Sequence, residues 1–191
     1  MKRLLEILHQ VLSTLDKLDI PYAVVGSFAS STYTRARQTQ DVDLLVKMKR
    51  EQVDGFVEAF SRDFFVDRGL TDQALTRGTS FNIIHFQTTF KLDFFVCGNR
   101  YNETVLSRRL LKKLDPETGL SGYIQTPEDT VLSKLDWFRK GGEISENQWD
   151  DVIGILETQA ARLDTSYLQK WAAELGLSDL LERARAEART S

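Results

Sequence analysis

The chain reads as an α+β fold, a mixed α/β arrangement in which a small mixed sheet with flanking helices is followed by a helical C-terminal subdomain. Three observations predict it. Short apolar stretches with strand-type alternation, "DVDLLV" and "TFKLDFFV", are interleaved with helical periodicity up to about residue 125. An amphipathic helix opens the chain. From Thr126 onward the pattern is helical only. The boundary expected from this change divides a core at 1–125 from a helical subdomain at 126–191.

In order along the chain, Leu4, Leu5, Leu8, Val11, Leu12, Leu15 and Leu18 recur at helical spacing, so residues 3–18 form a helix with one apolar stripe. Ile20-Pro21 ends it. "YAVVG" is a short buried strand, and Gly26-Ser27 turns into a short helical segment reaching about Tyr33. "DVDLLV" is the second strand. "REQVDGFVEAFSR" is helical, "DFFVD" a short strand, and "TSFNIIHF" with "TFKLDFFV" a hairpin around Gln87-Thr88. "TPEDTVLSKLDWFRKGG" has Thr at the N-cap, Pro at the first helical position, acids in the first turn and Gly141-Gly142 at the close. Helices at about 145–158, 165–175 and 178–188 complete the chain, and this subdomain is expected to rest on the core rather than swing on a tether.

Composition narrows the chemistry. At 191 residues, with a net charge of -3 and 41% apolar content, the chain fits a globular protein without a broad basic face. No apolar run is long enough for a membrane span, and a cytoplasmic location is expected. Cys97 is the sole cysteine, and His9 and His85 are the two histidines, which excludes an internal disulfide and any His/Cys zinc cluster. A bound metal would be held by carboxylates, which favour hard ions such as Mg²⁺.

Carboxylates are where the strands break their own pattern. Side chains alternate along a strand, so Asp41 and Asp43 share one face about 7 Å apart while Val42, Leu44 and Val46 face the core. Paired acids repel unless a cation or hydrogen bonds compensate. Lys91-Leu92-Asp93 puts a third carboxylate on another apolar strand, and Gly26-Ser27 offers a turn where backbone N–H groups and a small hydroxyl can receive phosphate oxygens.

"GS" followed after thirteen residues by "DVD", and later by a strand with a single Asp, resembles the signature of the DNA-polymerase-β-like nucleotidyltransferase superfamily over roughly residues 20–96. Thr39, Asp41 and Asp43 form the most specific part of that match. The resemblance implies a catalytic set of Asp41, Asp43 and Asp93 that is also the metal set. It implies Gly26 and Ser27 on the nucleotide phosphates, and Mg²⁺ as cofactor, in a one- or two-metal site that Mn²⁺ could also fill. The C-terminal half resembles stand-alone prokaryotic members, including abortive-infection and toxin-antitoxin nucleotidyltransferases. By that likeness Lys134, in "PEDTVLSKL", reaches the triphosphate and Asp150 or Asp151 organises the far side of the cleft.

Arg35 and Arg37 precede the paired acids, where a guanidinium could steady a phosphate, and Arg37 is the candidate taken. Trp137, Phe138 and Trp149 are read as core rather than base-stacking residues, His85 as structural and Cys97 as a small buried residue. The expected reaction moves a nucleoside monophosphate from a triphosphate to a hydroxyl on a protein, an RNA or a small molecule. A toxin-antitoxin partner or a second copy of the chain would be further partners. The rival is a non-catalytic regulatory or binding module that retains the fold.

Overall fold

The structure, a computed structural model, describes residues 2–34, 41–115 and 119–189. Arg35, Arg37 and Thr39, singled out in the sequence, lie outside the described residues. The chain divides into two compact units, one comprising residues 1–28 and 38–125, the other residues 29–37 and 126–191.

In the first unit a seven-stranded mixed sheet runs in the order β3-β4-β5-β2-β1-β7-β6 among the described residues. The strands are β1 (Tyr22–Val25), β2 (Val42–Val46), β3 (Phe64–Phe65), β4 (Ser80–His85), β5 (Lys91–Val96), β6 (Leu110–Lys113) and β7 (Ser121–Ile124). Helix α1 (Lys2–Lys17) precedes β1 and buries Leu4, Leu8, Val11, Leu12 and Leu15 of the stripe read from the sequence, whereas Leu5 is half-buried and Leu18, also half-buried, follows the helix. Helices α3 (Val53–Phe60), after a 3-10 turn at Arg50–Gln52, and α4 (Arg68–Arg77) fall between β2 and β4. Phe56 of α3 packs its ring within 5.6 Å of Phe60, Phe81 and Phe94, which closes an aromatic core on one face of the sheet. Val42, Leu44, Val46, Leu92 and Phe94 are buried on that face.

The opposite face is built in rows. Register aligns Ala23 with Leu45, Leu45 with Phe95, and Phe95 with Ser80. Helix α5 (Arg100–Arg108) covers the inner part of this row, where Val105 and Leu106 meet Ala23 and Leu45 with Val25, Phe95, Cys97 and Tyr101 around them. One step along the pleat, the next row is polar.

The second unit is helical. It contains α6 (Pro127–Lys140), α7 (Glu146–Gln159), α8 (Thr165–Leu175) and α9 (Ser178–Ala188), within two residues of the bounds the sequence predicts. Thr126 caps α6, its hydroxyl accepting from the Asp129 backbone N–H at 3.2 Å, and Asp164 caps α8 by accepting from the Tyr167 N–H at 2.9 Å. Phe138 and Trp149 are core residues with ring centroids 5.1 Å apart. Trp137 departs from the expectation, because it sits on the outer face of α6 with half of its surface exposed and Lys140 over its ring. No described helix is long and apolar enough to cross a membrane.

Candidate active site

The polar row aligns Val25, Asp43, Asp93 and Asn82 across β1, β2, β5 and β4. Strands β2 and β5 are parallel neighbours, so the second and third carboxylates of the sequence motif stand directly side by side, about 4.8 Å apart in backbone spacing. Asp41 lies just before β2, one residue beyond the Val42–Leu92 pair, and is exposed. The alternation that brings these acids to the surface also anchors them, since Val42, Leu44, Leu92 and Phe94 are fully buried on the other face.

Helix α2 (Gly26–Ser31) begins where β1 ends, and Gly26 cannot be replaced without strain. Its φ of +64° lies in the left-handed region, and a Cβ there would stand 1.9 Å from Asp43 Oδ2. The turn therefore lies directly against an aspartate of the polar row. Ser27 follows it, half-buried.

A cation already belongs to this face. Lys91 lies two residues before Asp93 and therefore on the same side of β5, with its Nζ 2.7 Å from Asp93 Oδ2. The bond to Asp93, with the charges of Asp41 and Asp43 adding to it, holds the Lys91 ammonium above the usual lysine range. The sequence carried the signal for it, as period-two spacing puts Lys91 beside any site that includes Asp93. The same register brings in Asn82, opposite Asp93 on β4.

The chemistry of the donor set suits a hard divalent ion, being carboxylate oxygens on a half-exposed face with glycine backbone against one of them. Their present gathering is looser than a finished centre, because among the described residues no three His, Cys, Asp or Glu side chains are grouped to hold a metal ion.

Lys134 and Asp151 belong to the helical unit, and there the structure brings them together. Lys134 is buried with its Nζ 2.8 Å from Asp151 Oδ2, and the Ser30 hydroxyl donates to the same oxygen at 2.9 Å. The amine expected to reach a triphosphate is engaged with a carboxylate on the neighbouring helix. In the same unit Asp129, fully buried, accepts from the Thr126 hydroxyl at 2.9 Å and from the Tyr167 hydroxyl, and Glu128 accepts from the Asp164 backbone N–H at 2.9 Å. Burial, together with the charges of Glu128 and Asp129, pushes the Tyr33 phenol far up. His85 is structural, its Nδ1 2.9 Å from the Thr88 hydroxyl and its ring against Phe64, and Cys97 is half-buried with its thiol pushed up by that burial.

The mixed sheet, with a Gly-Ser turn at the end of β1 and acids on two adjacent parallel strands, has a fold shared with a solved nucleotidyltransferase-like structure. Among solved structures, the chain is similar to an antigenic nucleotidyltransferase-like protein from Paracoccidioides brasiliensis. That pair is 17% identical over 97% of this chain and 93% of the other, with a TM-score of 0.57. It is also similar to the antibiotic-resistance factor ANT(2'')-Ia in solution, at 13% identity over 99% of this chain and 92% of that one, with a TM-score of 0.56. No family model and no curated protein matches the sequence.

Proposed function

We propose that the protein is a Mg²⁺-dependent nucleotidyltransferase that moves a nucleoside monophosphate from a nucleoside triphosphate to a hydroxyl acceptor. The observation that carries this reading is the register that sets Asp43 beside Asp93 while Gly26 lies against Asp43. The fold it shares with nucleotidyltransferase-like proteins supports it. Asp41, Asp43 and Asp93 would hold Mg²⁺, which when bound neutralises phosphate charge and lowers the pKa of an attacking hydroxyl.

The chain's own groups then have distinct tasks. Gly26 and Ser27 receive phosphate oxygens, the glycine because no Cβ keeps the ligand from the backbone. Asp43 orients the triphosphate side of the cluster. Asp93, on the strand farther from the Gly-Ser turn, takes the proton of the acceptor hydroxyl. The acceptor oxygen bonds to the α-phosphorus as the bond to the pyrophosphate oxygen breaks, and pyrophosphate leaves with the electron pair. Positioning and charge neutralisation do most of the work in such transfers. The acceptor, whether protein, RNA or small molecule, is chosen by surfaces outside this row.

Incubation with each labelled triphosphate and with candidate acceptors, following pyrophosphate release with and without chelator, tests the reading. Asp41→Asn and Asp43→Asn should abolish release while melting within about a degree of the parent or above it, because each relieves like-charge repulsion. Triphosphate binding that ignores both the chelator and these substitutions would favour the non-catalytic module instead.

A further inference from the structure

The proposed reaction leaves Lys91 without a task, although its ammonium is bonded to the acid assigned to the acceptor side. We propose that Lys91 is a resident counter-ion of the aspartate row, which a divalent cation must displace from Asp93 before the site is complete. It thereby sets the divalent concentration at which the site assembles. This rests on the reading of the three aspartates as metal holders.

The geometry carries the inference. Asp43 and Asp93 are direct neighbours on parallel strands, and Asp41 stands one residue before the Val42–Leu92 pair, which puts it level with Lys91. Three like charges on adjacent positions repel, and a cation among them offsets that cost without any bound ion. Lysine suits the task because its ammonium is a compact point charge on a flexible stem, whereas a guanidinium would grip a carboxylate with two parallel bonds. The Lys91 side chain is 41% exposed, so it can turn into water when a stronger cation arrives. A metal ion that takes Asp93 Oδ2 competes with the ammonium already bonded to that oxygen.

The test measures Mn²⁺ binding calorimetrically, without nucleotide, on the whole chain and on its Lys91→Met and Lys91→Arg variants. Exposed ion pairs are modest, so removing the competitor should tighten Mn²⁺ binding by about fivefold or more in Lys91→Met. Lys91→Arg should bind no more tightly than the parent. Melting in chelator should fall for Lys91→Met, and saturating Mn²⁺ should restore it to the parent's value or above; a purely structural lysine would lower melting in both conditions. Parent-like or weaker Mn²⁺ affinity in Lys91→Met overturns the inference and leaves the metal site standing. No Mn²⁺ binding by any of the three proteins would remove the metal-holding reading itself, and the inference with it.

Discussion

Gly26 shows how a single residue can be fixed by two independent constraints, since its backbone is left-handed and its missing Cβ is the space that Asp43 occupies. Gly26→Ala should therefore destabilise the protein by more than the roughly 1–2 kcal/mol that a left-handed backbone costs an L-residue. Urea unfolding of Gly26→Ala, Asp43→Ala and the double variant separates the terms, because only the steric part disappears once the carboxylate is gone. A cost that stays the same in both backgrounds would mean that the turn yields to make room. Tyr22 gives a second prediction at this scale. Burial, with the charge of Asp16 adding to it, pushes its phenol from an ordinary value of 10.0 to about 12. A group protonated more tightly when folded contributes its full stability below pH 10 and loses it as the pH climbs through 12. The stability of the parent relative to Tyr22→Phe should hold steady up to about that lower limit and then fall. A gap independent of pH would show that the phenol titrates alike in both states.

At the scale of elements, α6 is the most informative helix because the sequence and the structure give Lys134 different neighbours. Breaking a buried ion pair from one side costs about 3–5 kcal/mol, so Lys134→Met should lower the melting temperature sharply and the Lys134→Met/Asp151→Leu double variant should recover part of the loss. If Lys134 serves a triphosphate instead, Lys134→Met melts like the parent and loses only nucleotide affinity. The helix itself was legible, with Thr126, Pro127 and the acids marking its start, whereas the burial of its lysine was not, because Asp151 and Ser30 are distant in sequence. Strands β2 and β5 were legible from alternation, and with them Asp43 and Asp93. The register that makes these two acids neighbours is a long-range pairing that no local pattern encodes. Unread elements had weak local signals. Helix α4 buries only Thr71 and Ala74, and β6 exposes both of its leucines. Strand β7 carries Gly122 where a Cβ would stand 2.6 Å from Leu12 Cδ1, so a residue that reads as a strand breaker leaves room for the α1 leucine.

Over the whole molecule, the chain enters the helical unit twice, first for residues 29–37 and then from Thr126. The early visit is anchored within that unit. Ser30 donates to Asp151, and the Tyr33 carbonyl accepts from the Thr158 hydroxyl at 2.7 Å and the Gln159 amide at 3.0 Å. Ala29, Ser30 and Tyr33 are buried, and Thr34 lies against Gly154, where a Cβ would stand 3.2 Å from its methyl group. Helix α2 thus starts at Gly26 and leads into a segment held by α7. Trp137, Trp149 and Trp171 all lie in the helical unit, so tryptophan fluorescence reports on that unit while the strand signal in circular dichroism reports on the sheet. Tyr33→Ala, which removes a buried side chain far in sequence from every tryptophan, should move the fluorescence midpoint in urea down by the equivalent of about 3–5 kcal/mol. A fluorescence midpoint that stays in place would show that Tyr33 is no part of the helical unit's packed core.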